Sequence, residues 1–358
     1  MTVDALELRR VVLPLVAPFR TATGTHTTVE KLLVRAITPD VAGWGECPIG
    51  LGPGSLDDVD TVWRALRAGP VDPSSLPAPA VAAIETALLD AELRASGKSL
   101  ASHLGAVRDA VDAGVAIGIA PSIDDVLDEV AQRVAEGYGR VKLKIEPGWD
   151  LQPVAAVRER FGDDVALHVD GNGAYRIGDA GHLARLDRFG LLMLEQPLPV
   201  DDLEGHAELA GRVRTPICLD ESIRSEADLE AALAMGACSI VNVKPARLGG
   251  LRPAVRVHDR CVERDVPVWC GGMLETGVGR AANVALAALP GFTLPGDLSA
   301  SDRYFETDLT APFVLDEGRL VVPDGPGIGV EPRRDVLDAL TVATDAAPPP
   351  WQVPETRR

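Results

Sequence analysis

Lys142 and Lys144 alternate with Val141, Leu143 and Ile145 in the stretch Arg140-Val-Lys-Leu-Lys-Ile145. This is the period-two pattern of a strand that carries both lysines on one face. Their Cα atoms are expected about 6.6 Å apart, two strand steps. On an exposed antiparallel strand such a pair is simply a solvated face. In a cavity it is two ammonium groups able to bind an anion or move a proton. The chain beyond favours the cavity: strand-like runs end at Asp170, Glu195, Asp220 and Lys244, at intervals of 26, 25, 25 and 24 residues counted from Lys144.

Asp170, Glu195 and Asp220 end three consecutive strands, so their carboxylates converge. Two like charges 4 Å apart repel by about 4 kcal/mol at an effective dielectric of 20. Such a triad needs a counter-ion or must take up protons. Oxygen-only ligation, without His or Cys at these positions, suits Mg²⁺ or Mn²⁺ rather than Zn²⁺. The plainer reading is three salt-bridged carboxylates in a barrel mouth. Asn172 and Glu221 follow two of the acids by one or two residues and are candidates for supporting the ligands or touching substrate.

Lys144 and Lys244 flank the acids from opposite sides. A free lysine titrates near 10.4, and a base useful at neutral pH wants roughly 7–8, a gap of about 4 kcal/mol. Burial, the neighbouring Lys142 and a dication would all push Lys144 downward. A neutral lysine can then take a proton next to a substrate carboxylate, while a dication offsets the negative charge that develops. Among the other polar residues, His168 points inward and reads as a hydrogen-bonded core residue. His26, His103, His182, His206 and His258 fall in loop or helix contexts and are expected at the surface. Arg247 is either a surface charge or a group that tunes Lys244. Gly249-Gly250 before a helix is weak evidence for a phosphate site.

The elements that must position these residues repeat with the same period. Helix-like segments at 151–161, 180–189, 203–209 and 227–235 separate the strands, and strand, loop, helix and return loop form the unit of a (β/α)₈ barrel, whose chemistry sits at the C-terminal strand ends. Val111–Ile119 is the expected first barrel strand, with its helix over Ile123–Ala135. Residues 267–276 with helix Val278–Ala288 form unit seven, and unit eight begins near Phe292–Leu298. The expected fold is α/β, a TIM-type barrel over residues 106–312, with an α+β capping domain over residues 1–105. In that domain, strands are expected over 4–17, 29–38 and 43–47, and helices over 56–66 and 80–95. Gly-, Thr- and Pro-rich loops are expected at 19–28 and 49–55. Residues 313–332 look strand-like and are expected to return to the first domain. The tail from Thr344, with prolines at 348–350, is expected to be disordered.

With 53 acidic against 35 basic residues the formal charge is −18, which argues against binding nucleic acid or an anionic membrane through a general basic surface. Two lysines and a dication can still reverse the potential locally. The odd number of cysteines (Cys47, Cys218, Cys238, Cys261, Cys270) without C-x-x-C spacing, and the lack of a signal peptide or long apolar run, read as a reduced cytoplasmic protein.

The lysine pair 142/144, the acids Asp170, Glu195 and Asp220, and Lys244 together resemble the enolase superfamily in its muconate-lactonising branch. The stretches Lys-Leu-Lys-Ile-Glu-Pro-Gly-Trp-Asp150, Thr-Pro-Ile-Cys-Leu-Asp-Glu-Ser222, Lys-Pro-Ala-Arg-Leu-Gly-Gly250 and Cys-Gly-Gly-Met-Leu-Glu-Thr-Gly277 are similar to the N-succinylamino acid racemase/o-succinylbenzoate synthase subfamily. The resemblance implies Mg²⁺ at the three acids and Lys144 as the base that dehydrates 2-succinyl-6-hydroxy-2,4-cyclohexadiene-1-carboxylate for menaquinone synthesis. It implies Lys244 as the opposed cation or second acid–base of a racemase. Lys142 and Asn172 would assist around the substrate carboxylate, and Gly272 and Met273 would line its side-chain end. The 19–28 and 49–55 loops would cap the barrel mouth. An arginine at the place of Arg247 keeps racemase competence open, and Glu221 would tune the site. Gly-Asp-Leu-Ser-Ala300 lacks the Asp-x-Asp of dipeptide epimerases. The expected partner is a small-molecule carboxylate, with assembly into a homo-oligomer. Competing readings are a muconate-type cycloisomerase, a Schiff-base aldolase and a metal-stabilised binding barrel without catalysis.

Overall fold

The computed structural model describes residues 2–22, 24–48, 59–68 and 76–347. Strands β1 (Ala5–Thr21), β2 (Gly24–Ile37) and β3 (Ala42–Pro48) open the chain, followed by helices α1 (Val59–Arg67), α2 (Ala78–Ser96) and α3 (Leu100–Leu104). After β4 (Ala110–Asp112), strands and helices alternate: β5 (Gly114–Ile117), α4 (Ile123–Ala135), β6 (Arg140–Lys144), α5 (Leu151–Phe161), β7 (Leu167–Asp170) and α6 (Ala180–Leu183). Then come β8 (Leu194–Glu195), α7 (Leu203–Ala210), β9 (Ile217–Leu219), α8 (Glu226–Met235) and β10 (Ile240–Val243). Two helices follow β10, namely α9 (Pro245–Leu248) and α10 (Leu251–Glu263), before β11 (Val268–Cys270) and α11 (Gly277–Ala287). The last elements are β12 (Arg319–Val321), α12 (Arg334–Leu340) and β13 (Thr341–Ala347).

Strands β5 to β11 form one parallel sheet in sequence order. Every residue of these strands is buried, as expected for a sheet covered by helices on one side and curled on itself on the other. The eighth position is an irregular segment. Phe292 bridges Val268, Gly296 bridges Ala113, and the Gly114 and Asp297 amides donate to the Gly296 and Cys270 carbonyls at 2.7 and 3.0 Å. The barrel therefore closes through single bridges rather than a ladder. The predicted first strand, Val111–Ile119, is split at Ala113, because residues 110–112 pair antiparallel with β12 at the barrel base.

The small sheet runs β13-β1-β2-β3, all antiparallel. Three expectations change here. Residues 19–21 and 24–28 are strand and not loop: Phe19, Arg20 and Thr21 pair with His26, Thr25 and Gly24, consistent with the strand preference of β-branched threonines. Residues 344–347 are not disordered, since they complete β13 against β1, with side chains alternately exposed along the edge. Within 313–332, β12 serves the barrel base and not the small sheet. The 49–55 loop and residues 348–358 lie outside the described residues. His206 and His258, expected at the surface, are buried. Their ring nitrogens accept the Leu198 and Gly291 amides and so tie helices α7 and α10 to neighbouring loops.

The small domain is packed closely within itself and is fixed to the barrel through carboxylates. A Cβ at Gly45 would lie 1.9 Å from the Ala83 carbonyl oxygen, so α2 packs directly on the β3 backbone only because glycine is there. Two acids from the small domain then occupy helix N-termini of the barrel, where free N–H groups and the helix dipole favour negative charge. Glu85 of α2 accepts the Leu251 and Arg252 amides at the start of α10. That places a carboxylate where the Gly249-Gly250 turn had hinted at a phosphate. Glu46 of β3 accepts the Thr276 hydroxyl at 2.6 Å and the Gly279 amide at 2.9 Å at the start of α11.

Burial lifts the Glu46 carboxyl to about 7, against the pull of Lys31 and of the Thr276 hydroxyl. A glutamate in the unfolded chain titrates near 4.5. Between those values the unfolded chain releases its proton first, so the contribution present below about 4.5 is lost as pH rises through about 7. Glu46→Gln is therefore expected to gain on the wild type by up to about 3 kcal/mol between pH 5 and 8. Urea-denaturation midpoints across that range measure it, and parallel profiles for the two proteins would refute the assignment.

Candidate active site

Parallel pairing sets the lysines and acids side by side. Lys142 is in register with His168, Lys144 with Asp170, and Asp170 with Glu195. Lys144 Nζ donates to Asp170 Oδ2 at 2.5 Å and to Asn172 Oδ1 at 2.8 Å. Asn172 in turn donates its backbone N–H to Asp170 Oδ1 and its amide to Glu221 Oε1. Its φ of 43° turns the chain sharply just past the strand end, a conformation that asparagine tolerates better than most residues. Glu195 is wholly buried and accepts from Lys142, His168 and Asn242 at 3.1, 3.1 and 2.9 Å. His168 is thus the hydrogen-bonded core residue expected from its position. Burial, then Arg140 and Lys142, hold it well below its ordinary pKa and so neutral.

On the other side, Lys244 leaves β10 and donates to Asp220 Oδ2 at 2.8 Å, while Arg247 in α9 pairs with Asp220 Oδ1. Arg247 is consequently not a surface charge. A Cβ at Gly271 would fall 2.4 Å from Lys244 Cε, so this glycine makes room for the lysine to cross the end of β11. Lys144 and Lys244 belong to strand positions four steps apart in the sheet order. In a ring of eight they face each other across the mouth.

Lys142, Lys144, Asn172, Glu221, Lys244, Arg247, Gly272 and Met273 line one cavity. Phe19 and Thr21 of β1 close it from the small domain, beside Tyr304. Asp170, Glu195 and Asp220 are tied to this lining from beneath. All the residues expected from sequence to form a site are therefore brought together.

Asp297 was missed. It follows the irregular eighth segment, pairs with Arg140 at 2.8 Å and contacts the Lys142 ammonium. Arg140 and Lys142 both lie over the Trp269 ring, at 4.8 and 5.0 Å from its centroid. Burial works against the Asp297 charge, but Lys142 and Arg140 overcome it and hold the carboxyl below the usual range. The interval from Lys244 through unit seven to Gly296-Asp297 was the available signal, since it continues the spacing by two units. Asp297 lies within Phe292–Leu298, the expected start of unit eight, but that stretch forms single bridges and no regular strand whose end would single the residue out.

Burial depresses the ammonium of Lys244, but Asp220 outweighs it and leaves the group raised. Lys142 is likewise driven well above its ordinary value, burial being overcome by Asp297, Glu195 and Asp170. Among the described residues no three acidic or imidazole side chains close around one point, because each acid is held by a lysine or arginine. The donor set still fits a hard dication. It is made of carboxylate and amide oxygens, and Glu221 Oε2 is buried without a hydrogen-bond partner. Burial and then Asp220 lift the Glu221 carboxyl to about 7. Among the described residues no helix is long and apolar enough to cross a membrane, and all five cysteines are buried and unpaired.

Residues 125–336 match the family model described as enolase C-terminal domain-like. The chain is similar to an N-succinylamino acid racemase from an Amycolatopsis species, 55% identical over 96% of this chain and 98% of the relative. It is also similar to an o-succinylbenzoate synthase from Geobacillus kaustophilus, 44% identical over 95% of this chain and 96% of the relative. Among solved structures it resembles a protein from Listeria innocua described as a member of the enolase superfamily. That likeness has a TM-score of 0.91 and 36% identity, covering 97% of this chain and 99% of the other.

Asp297→Asn would leave Arg140 and Lys142 buried with a counter-charge removed. Breaking such a pair is expected to cost about 3–5 kcal/mol, read as a fall in the urea midpoint. A loss below 1 kcal/mol would mean that Glu195 and Asp170 suffice for Lys142.

Proposed function

The chain belongs to the enolase superfamily and is an enzyme, and from that premise we propose that it removes the proton α to a carboxylate. The reaction we assign is dehydration of 2-succinyl-6-hydroxy-2,4-cyclohexadiene-1-carboxylate to o-succinylbenzoate, with racemisation of N-succinylamino acids as a second activity of the same site. The observation that carries this reading is the pair of lysines, Lys144 and Lys244, on opposite sides of one cavity with three carboxylates beneath them. The named relatives support both activities, since they include synthases and racemases over nearly the full chain.

Lys144, as the neutral amine, takes the α-proton and becomes an ammonium. In dehydration it returns that proton to the leaving hydroxyl on the same face, which departs as water as the ring double bond forms. Lys244 stays an ammonium because Asp220 is beside it, and faces the negative charge that builds on the substrate. In racemisation the same ammonium delivers a proton to the opposite face of Cα. Asp170, Glu195 and Asp220 would hold Mg²⁺, with Glu221 and Asn172 bracing them. When bound, the ion supplies positive charge that offsets the charge developing on the substrate carboxylate. Lys142 orients Asp170 and Glu195 and adds a fixed positive charge. Arg247 competes with Lys244 for Asp220, which tunes how firmly Lys244 keeps its proton. Gly272 and Met273 border the side-chain end.

Lys144→Ala is expected to lose both activities by roughly 10²–10⁴-fold. Lys244→Ala should end racemisation yet leave α-deuterium exchange from D₂O on the enantiomer whose proton faces Lys144. Product formation by ultraviolet absorbance and exchange by NMR measure the two. Retention of dehydration by Lys144→Ala would overturn the assignment. Exhaustive chelation should abolish both reactions, and Mg²⁺ should restore them.

A further inference from the structure

Lys31 of β2 is wholly buried, and its ammonium donates to the Met273 carbonyl at 2.9 Å. Glu46, on the neighbouring strand, accepts from Thr276 and Gly279. Between these two anchors runs the segment 271–276, which joins β11 to α11. Gly272, Met273, Leu274 and Glu275 of this segment line the same cavity as Lys144 and Lys244. The segment is held in an unusual shape, with Leu274 at φ 53° and the Met273 amide drawn to Glu275 Oε2 at 2.8 Å. It is also confined from behind, since a Cβ at Gly272 would stand 2.4 Å from the Asp297 carbonyl oxygen.

The charges that fasten it come from both domains: Lys31 and Glu46 from the small sheet, Glu275 and Arg280 from the barrel. Burial opposes the charge of both small-domain members, pulling Lys31 down and lifting Glu46. For stability alone, well-packed apolar residues generally serve as well as a buried ion cluster or better. What apolar residues cannot do is hold a particular backbone carbonyl and a particular helix terminus in one place.

We propose that Lys31 and Glu46 are positioning residues, which fix segment 271–276 as the wall against which the substrate's side chain is fitted. Side-chain preference is then set across the domain interface by groups that touch no substrate. This rests on the α-proton chemistry proposed above.

The test compares wild type with Lys31→Met, Glu46→Gln and the double variant. The double variant leaves neither an unpaired lysine nor an unpaired Glu46, and guards against simple misfolding of the single ones. Two readouts are taken with Mg²⁺ present: α-deuterium exchange of N-succinylalanine and N-succinylphenylalanine, and backbone hydrogen exchange by mass spectrometry. The expected result is that kcat/KM for the large side chain shifts about tenfold against that for the small one. The change should be carried by KM, with faster amide exchange confined to 271–279. An equal loss on both substrates, or unaltered amide exchange in 271–279, would overturn the proposal and leave the cluster a fastening only. If the wild type exchanges neither compound, the functional reading fails instead. The amide-exchange comparison then decides by itself whether Lys31 and Glu46 hold the segment.

Discussion

One ammonium group joins most of the barrel mouth. Lys142 on β6 reaches Asp170 at the end of β7, Glu195 at the end of β8 and Asp297 after the eighth segment. A buried cation of this kind is tolerable only with compensating charge close by, and here three strand positions supply it. Asp297 in turn holds Arg140, and both cations rest on Trp269. The eighth segment has no regular ladder, so this network adds a charged tie beside the single bridges that close the ring. Removing water from around these groups strengthens every charge interaction among them. The same isolation lets a lysine's proton affinity be set by its neighbours rather than by solvent.

The proposed catalytic arrangement follows from this network with little extra. Lys144 and Lys244 are the more exposed of the three lysines that line the cavity, at 9% each against 2% for Lys142, and each is tied to one acid. Half a turn of the barrel separates them, which is the geometry needed to address two faces of one carbon. Arg247 and Glu221 add opposite charges around Asp220, so small shifts of that carboxylate alter how strongly Lys244 is held as a cation. The small domain is not a passive lid. Phe19 and Thr21 close the cavity directly, and Glu46 and Glu85 dock on barrel helices that begin just beyond the strand ends carrying Gly271 and Lys244.

Much of the site was legible because barrel geometry converts sequence period into spatial convergence. Residues at the ends of successive parallel strands become neighbours whatever the intervening helices contain. Lys142, Lys144, Asp170, Glu195, Asp220 and Lys244 could therefore be grouped without any knowledge of contacts. Asn172, Glu221 and Arg247 came along because they follow those ends by one to three residues. Asp297 did not, although it lies in the stretch expected to open unit eight, because that stretch forms no regular strand whose end would mark it. Lys31 and Glu46 were invisible for a different reason. Each sits on an ordinary-looking strand some 230 residues or more from its partners, and no local pattern distinguishes a lysine facing solvent from one facing another domain. The fate of β13 and of His206 and His258 has the same origin: edge pairing and burial depend on what packs from elsewhere.

By itself, then, the sequence determined the repeat, the strand ends and the kinds of charge placed there, because periodicity and backbone preference are local properties. Only the tertiary structure decided which charges neutralise one another, that Lys244 is stabilised as a cation rather than as a base, and how the small domain grips segment 271–276. Those outcomes depend on distances of about 3 Å between groups far apart in the chain. Electrostatic free energy in a dry interior changes steeply over such distances.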